Sequence, residues 1–205
     1  MILEVIPVGP IQANCYIVGD KDTNEVAVID PGEEGNRIVD GLQKKGYKAK
    51  YIIATHGHAD HIGAVKYLKQ HTLAPVMIHG NDSECLIDSK KNLSIYMGVE
   101  SVQVAADIIL EDSMTFTVGR YDFKVLYTPG HSPGGVCVLT NSILFSGDTL
   151  FNGSVGRTDL PGGNHQQLIG SIRQKLLALP DDTIVYPGHG AKTTIKKEKE
   201  SNPFI

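Results

Sequence analysis

The sequence predicts a layered α/β fold in which two β-sheets pack face to face with helices outside. Two observations predict it. Strand-like runs alternate with helical patterns through the first half. A second group of strand-like runs fills the chain from residue 107 onward. Each half therefore supplies strands plus helices, and two facing sheets bury all of the apolar runs. A doubly wound single sheet fits the same strings.

The elements follow in order. ILEVIPV, NCYIVGD and EVAVID read as strands, the last stopped by Pro31-Gly32. Glu33 to Lys45 carries Ile38, Val39 and Leu42 at helical spacing, and Gly46 ends it. YIIAT is a short apolar strand. A helix is expected over Ile62 to Gln70, with Ile62, Val65 and Leu68 on one face, and PVMIH returns as a strand. Within Asn81 to Ala106, SECLIDSKKNL reads as partly helical. DIIL, MTFTV, FKVLYT, GVCVLT and SILFSG are strands. A helix over His165 to Leu177, a strand TIVYP and a short helix of mixed charge complete the chain, read as a single domain over 1–205.

Composition narrows the function classes. With 205 residues, 41% hydrophobic and 20% charged, the chain is globular rather than disordered. A formal charge of −4 argues against a nucleic-acid partner. MILEVIPVGP has Glu4 where a signal peptide needs basic residues, and no run approaches the length of a membrane span. Cys15, Cys85 and Cys137 are odd in number and far apart, and read as buried thiols in a reducing cytoplasm. The oligomeric state is not legible.

The chemistry concentrates in THGHADHIGA, where His56, His58, Asp60 and His61 fall within six residues. Positions i and i+2 point roughly 200° apart on a helix, so His56 and His58 could share an ion only on a bent strand end, a bend that Gly57 permits. Asp60 and His61 point away from each other on an extended chain, which suits a second centre better than the first. His131 in TPGHSPGG, Asp148 in FSGDTL and His189 in YPGHG each follow a strand and have glycine beside them. One tetrahedral zinc takes at most four protein ligands, so seven candidates fit two ions if one carboxylate bridges. Imidazole and carboxylate without thiolate suit zinc, iron or manganese. His71, His79 and His165 lack such a context and read as surface or packing residues.

THGHADH followed in order by TPGHSPGG, FSGDTL and YPGHG resembles the metallo-β-lactamase superfamily across nearly the whole chain. The resemblance implies a four-layer αββα sandwich with a metal centre at one edge. It assigns His56, His58 and His131 to one ion and Asp60, His61 and His189 to the other, with Asp148 bridging two divalent ions, zinc first. IQANCYIV, AVIDPG, GRTDLPGG and the terminal NPF are similar to small glyoxalase II-type, hydroxyacylglutathione hydrolase-like proteins. That likeness implies a metal-activated hydroxide acting on a small-molecule thioester such as S-lactoylglutathione, with Asp60 orienting the nucleophile. A thiolate leaves readily because a thiol has a pKa near ~8.5.

Two departures and a second resemblance shape the expectation. The commonest zinc β-lactamases have a cysteine where Asp148 stands and no histidine where His61 stands, which argues against antibiotic hydrolysis as the main role. Full-length glyoxalase II grips glutathione through a C-terminal helical domain, whereas this sequence closes soon after His189. Persulfide dioxygenases share a similar loop and a GRTD segment, and use a single iron held by two histidines and an aspartate. They are the alternative reading. Asp30 reads equally as an acceptor behind a ligand histidine or as a turn-capping aspartate. Arg157 reads as an ion-pair partner of Asp159, with carboxylate recognition as the rival. The lysines at 192, 196, 197 and 199 alternate with Glu198 and Glu200 as a solvated face.

Overall fold

In the computed structural model, which describes residues 1–97 and 102–205 apart from the Met97 side chain, two six-stranded sheets face each other. The first runs β1 (Ile2–Val8), β2 (Ala13–Gly19), β3 (Glu25–Ile29), β4 (Lys48–Ile53), β5 (Val76–His79), β6 (Ile108–Leu110) in spatial order. β1 to β3 pair antiparallel through short turns. β3 to β6 pair parallel, which requires crossovers. These carry α1 (Gly35–Lys45), then α2 (Ala59–Ile62) with α3 (Val65–Thr72), then a 3₁₀ turn at Gly80–Leu86 with α4 (Ser94–Met97). The second sheet contains β7 (Thr115–Val118), β8 (Tyr121–Tyr127), β9 (Val136–Thr140) and β10 (Ile143–Gly147). A small ribbon, β11 (Leu150–Phe151) with β12 (Ser154–Val155), and α5 (His165–Ser171) come next. β13 (Ile184–Pro187) and β14 (Thr193–Thr194) then extend the second sheet beyond β10, before α6 (Ile195–Ser201).

The period of two along each strand decides the layering. β2 turns Tyr16 and Val18 into the space between the sheets, where they join Phe123, Val125 and Phe145. Its alternate residues Cys15 and Ile17 face outward onto Ile38, Val65 and Leu68 from α1 and α3. β9 does the same on the other side: Val136 and Val138 point inward and Cys137 outward against Leu168 and Ile172. The result is the four-layer αββα sandwich, not a single doubly wound sheet. Phe123 and Phe145 are fully buried in the central layer, and each such side chain contributes about 1.5–3 kcal/mol by leaving water. All three cysteines are free thiols, Cys15 and Cys137 buried and Cys85 half-buried.

Several boundaries differ from expectation for local reasons. The first helix begins at Gly35, because Glu34 adopts a left-handed conformation with φ 54°. It ends at Gly46 as expected, with the Gly46 N–H donating to the carbonyls of Gln43 and Leu42. The helix expected over 62–70 is split into α2 and α3. Gly63 lies so close to the Gly32 carbonyl oxygen that a Cβ there would fall 2.2 Å from it. The helix expected over 165–177 is α-helical to Ser171 and then widens into a π turn over Ile172–Leu176. In the 81–106 region the 3₁₀ turn and α4 account for the helical signal, and residues 98–101 lie outside the described residues. β11, β12 and β14 have two residues each, too few to show a period. Among the described residues no helix is long and apolar enough to cross a membrane.

Candidate metal centre

Five strand ends converge on one edge of the sandwich. β3 delivers Asp30, β4 the His56–His61 loop, β8 the His131 loop, β10 Asp148 and β13 His189. The structure therefore brings all seven predicted residues together. Two local features differ from expectation. Gly57 is not in a positive-φ conformation. It is required by close packing, since a Cβ would lie 2.5 Å from the Cβ of Cys85. Asp60 and His61 are on the single turn of α2, not on extended chain, and both side chains enter the same cluster: His61 Nε2 is 3.3 Å from Asp60 Oδ2.

Two triads of donor atoms form, His56–His58–His131 and Asp60–His61–His189, each with its atoms within 4.8 Å of one another. A third grouping, Asp30–His56–His61, shares members with both. Backbone and carboxylate acceptors fix the tautomers, because these oxygens cannot donate. Nδ1–H of His131 donates to the Arg157 carbonyl at 2.7 Å. Nδ1–H of His61 donates to Asp30 at 3.0 Å, and that of His189 to the Ile11 carbonyl at 3.3 Å. The Thr55 hydroxyl donates to Asp30 at 2.7 Å, so it accepts from His56 Nδ1 at 3.2 Å. All four rings thus present Nε2 to the interior, while His58 presents Nδ1, 2.9 Å from His131 Nε2.

These donors fit divalent ions. Nitrogen atoms facing one another at 2.9 Å and 3.3 Å (His61 to His189) are poor neighbours alone but suit a shared cation. Two ligands on a tetrahedral zinc stand about 3.3 Å apart, given bonds of about 2.0–2.1 Å. His56 Nε2 and Asp148 Oδ1 are buried and make no hydrogen bond, an arrangement that costs free energy unless something else binds them. Asp148 also lies between the triads. Its Oδ1 is 3.4 Å from His61 Nε2, and its Oδ2 is 3.6 Å from His131 Nε2 and 3.7 Å from His189 Nε2.

The electrostatics differ between the triads. Burial, helped by His61, His58 and His131, pushes the His56 imidazole well below its usual range. Burial likewise takes His58 to about 3. These rings are neutral, with lone pairs free for a cation. At Asp60 burial favours the acid, but the His61 charge and hydrogen bonds from His189 and His61 outweigh it and hold the carboxylate ionised. Burial opposes a charge on His61, yet Asp60, Asp148 and Asp30 raise its pKa well above the usual range. His189 is raised too: its burial is outweighed by its bond to Asp60 and by Asp148. The carboxylates thus favour positive charge at His61 and His189.

Asp30 is the acceptor behind His61, and it also takes the Thr55 N–H at 2.7 Å. Asp82 is a residue that the sequence did not flag. It is 1% exposed. Its Oδ2 accepts from the Gly57 N–H at 2.9 Å and the Ser132 hydroxyl at 2.6 Å, and its Oδ1 from the Gly134 N–H at 2.6 Å. It therefore pins the His56–His58 loop to the His131 loop. Asn14 and Tyr16 do the same for the loop of His189. Asn14 Nδ2 donates to the carbonyls of Pro187 and Gly190, both at 3.0 Å, and the Tyr16 hydroxyl to Pro187 at 2.6 Å. The motif IQANCYIV contained both, but nothing local marked their partners. Asp82→Asn places an amide against at least one N–H donor. It is expected to weaken metal binding by about 10- to 100-fold while circular dichroism stays native. Unchanged affinity in a metal titration would show that the loops hold position without it.

A cavity of about 790 Å³ opens onto His58, Asp60, His131, Asp148 and His189. Arg157 lines it, but its guanidinium forks onto Asp159 with two bonds of 2.7 Å, the ion pair expected from sequence. The other histidines lie elsewhere. His71 stacks on Tyr67 and His79 on Tyr127, and His165 opens α5. On α6, Lys199 pairs with Asp181 and Lys197 with Asn152 at the surface.

Comparison with known proteins agrees with this geometry. The chain is 41% identical over 203 residues to probable metallo-hydrolase YqgX of Bacillus subtilis, covering 98% of this chain and 95% of that protein. It is 38% identical to hydroxyacylglutathione hydrolase GloC of Haemophilus influenzae, covering 100% and 98%. Among solved structures, BLEG-1, described as a B3 metallo-β-lactamase, superposes with a TM-score of 0.94 at 40% identity over 99% of both chains. TTHA1623 in a di-iron-bound form gives 0.87 at 37%, covering 98% of this chain and 100% of that one. ETHE1 from Myxococcus xanthus gives 0.85 at 31%, covering 99% and 84%. The sequence pattern of one family matches residues 8–189, from the end of β1 to His189 itself, and the chain belongs to the metallo-β-lactamase superfamily.

Proposed function

We propose that this protein is a dinuclear metal-dependent hydrolase acting on 2-hydroxyacyl thioesters. In this reading His56, His58 and His131 would hold one ion and Asp60, His61 and His189 the other, with Asp148 available to both. The observation that carries it is the placement of Asp148, whose two oxygens face histidines of both triads at 3.4–3.7 Å. The likeness to a di-iron protein supports two ions, and the donor set admits zinc, iron or manganese. Such ions supply Lewis acidity and a water activated near neutral pH.

The chain's own residues do the rest. Asp60, ionised and lining the cavity, orients the attacking water. Asp30 and the carbonyls of Arg157 and Ile11 keep the imidazoles aimed inward. No strong general acid is needed for a leaving thiolate whose conjugate acid has a pKa near ~8.5. Likeness to GloC supports a hydroxyacyl thioester in particular.

Steady-state kinetics on matched thioesters and oxyesters tests this. Thioesters should turn over faster, because an alkoxide leaves less readily. Efficient hydrolysis of oxyesters, phosphodiesters or a β-lactam, with every thioester inert, would remove the thioesterase assignment. The β-lactam belongs in the panel because of the likeness to BLEG-1. The alternative, a mononuclear iron persulfide dioxygenase, is supported by the likeness to ETHE1. It requires one iron per chain and persulfide-dependent oxygen consumption.

A further inference from the structure

The walls of the cavity above the triads are unlike its floor. They are formed by Ile11, Leu93, Tyr96, Phe151, Val155 and Leu160. Ile11 is 52% and Tyr96 78% exposed, so large apolar surface stands in water beside the candidate centre. One polar residue of the lining, Asn92, is already engaged. The Asn92 side chain donates to the Cys85 carbonyl at 2.7 Å and accepts from the Ser94 N–H at 2.9 Å. Among the described lining residues, Arg157 is the one cation outside the histidine clusters, and both edges of its fork lie on Asp159. A ligand carboxylate arriving there would have to displace Asp159 or remain beside it.

Resting on the thioesterase reading, we infer that the preferred substrate is uncharged and apolar on the thiol side, an alkyl or aryl thioester rather than a glutathione conjugate. Glutathione brings two carboxylates, and an anion placed against apolar walls loses hydration without gaining a partner. An alkyl thiol instead covers Ile11, Phe151 and Tyr96. Each fully buried methylene favours binding by about 0.8 kcal/mol, or about fourfold. The cavity volume of about 790 Å³ is of the size that encloses a small molecule.

The test separates this inference from the reading beneath it by measuring binding as well as turnover, on metal-loaded protein. Calorimetry compares two non-hydrolysable thioethers, S-carboxymethyl hexanethiol and S-carboxymethylglutathione. Kinetics compares the S-lactoyl esters of hexanethiol, N-acetylcysteamine and glutathione. The hexyl thioether should bind at least about tenfold more tightly than the glutathione one. Phe151→Ser should narrow that gap, while added salt and Arg157→Ala should leave it in place. The S-lactoyl esters should follow the same order in kcat/KM. Tighter binding of the glutathione thioether, lost in Arg157→Ala, would overturn the inference. Tight hexyl binding with no thioester turnover would uphold the apolar pocket and overturn the thioesterase reading instead.

Discussion

Asp148→Ala is expected to weaken metal binding in both triads together, by more than about 100-fold each, and to lower hydrolysis by at least as much. Loss of an outer partner of a metal ligand already costs about 10- to 100-fold, and Asp148 faces the ions directly in this account. It sits between His61 on one side and His131 on the other, with His189 also within 3.7 Å. The metal-free fold should tolerate the change, since Oδ1 makes no hydrogen bond there. His131→Ala is the comparison: it removes one donor of one triad, so its loss should fall mainly on that site. Competitive titration with a chelating indicator resolves the two affinities. Equal single-site losses in both variants would mean that Asp148 does not bridge.

Gly188→Ala should be almost as damaging, although residue 188 carries no ligand. A Cβ there would lie 2.1 Å from Asp148 Oδ1 and 2.7 Å from His61 Cε1. Neither neighbour can yield without moving a donor atom, and a misplacement of about 1 Å in a reacting group costs about a hundredfold. Gly188 is also fastened at both polar groups, its N–H to the Gly147 carbonyl at 2.8 Å and its carbonyl to the Asn14 N–H at 2.7 Å. Gly41→Ala in α1, where a Cβ meets nothing within 4 Å, serves as control. It should stabilise by about 0.5–1 kcal/mol and leave metal content alone. Near-normal hydrolysis by Gly188→Ala would show that the carboxylate position matters less than argued.

The cluster of seven residues was legible because three histidines and an aspartate in one loop serve no core, and because His131, Asp148 and His189 each end a strand beside glycine. The layering was legible only in part. β2 is buried on both faces, so Ala13 to Gly19 shows no polar alternation, and the choice between one sheet and two needed the positions of Tyr16 and Cys15. α2 was hidden because four residues cannot display a helical period, so Asp60 and His61 were assigned an extended geometry. Asp82 was hidden for a different reason. It lies in the irregular 80–97 region, and its three partners are 25, 50 and 52 residues away, a relation that no local pattern records. The same holds for Asn14, which reaches Pro187 and Gly190 across 173 and 176 residues.

Elemental analysis tests most directly whether this cluster holds two ions. Protein purified without chelators and then equilibrated with zinc, iron or manganese should hold close to two ions per chain, whichever metal fills the sites. A firm value of one, unchanged when metal is added, would contradict the account.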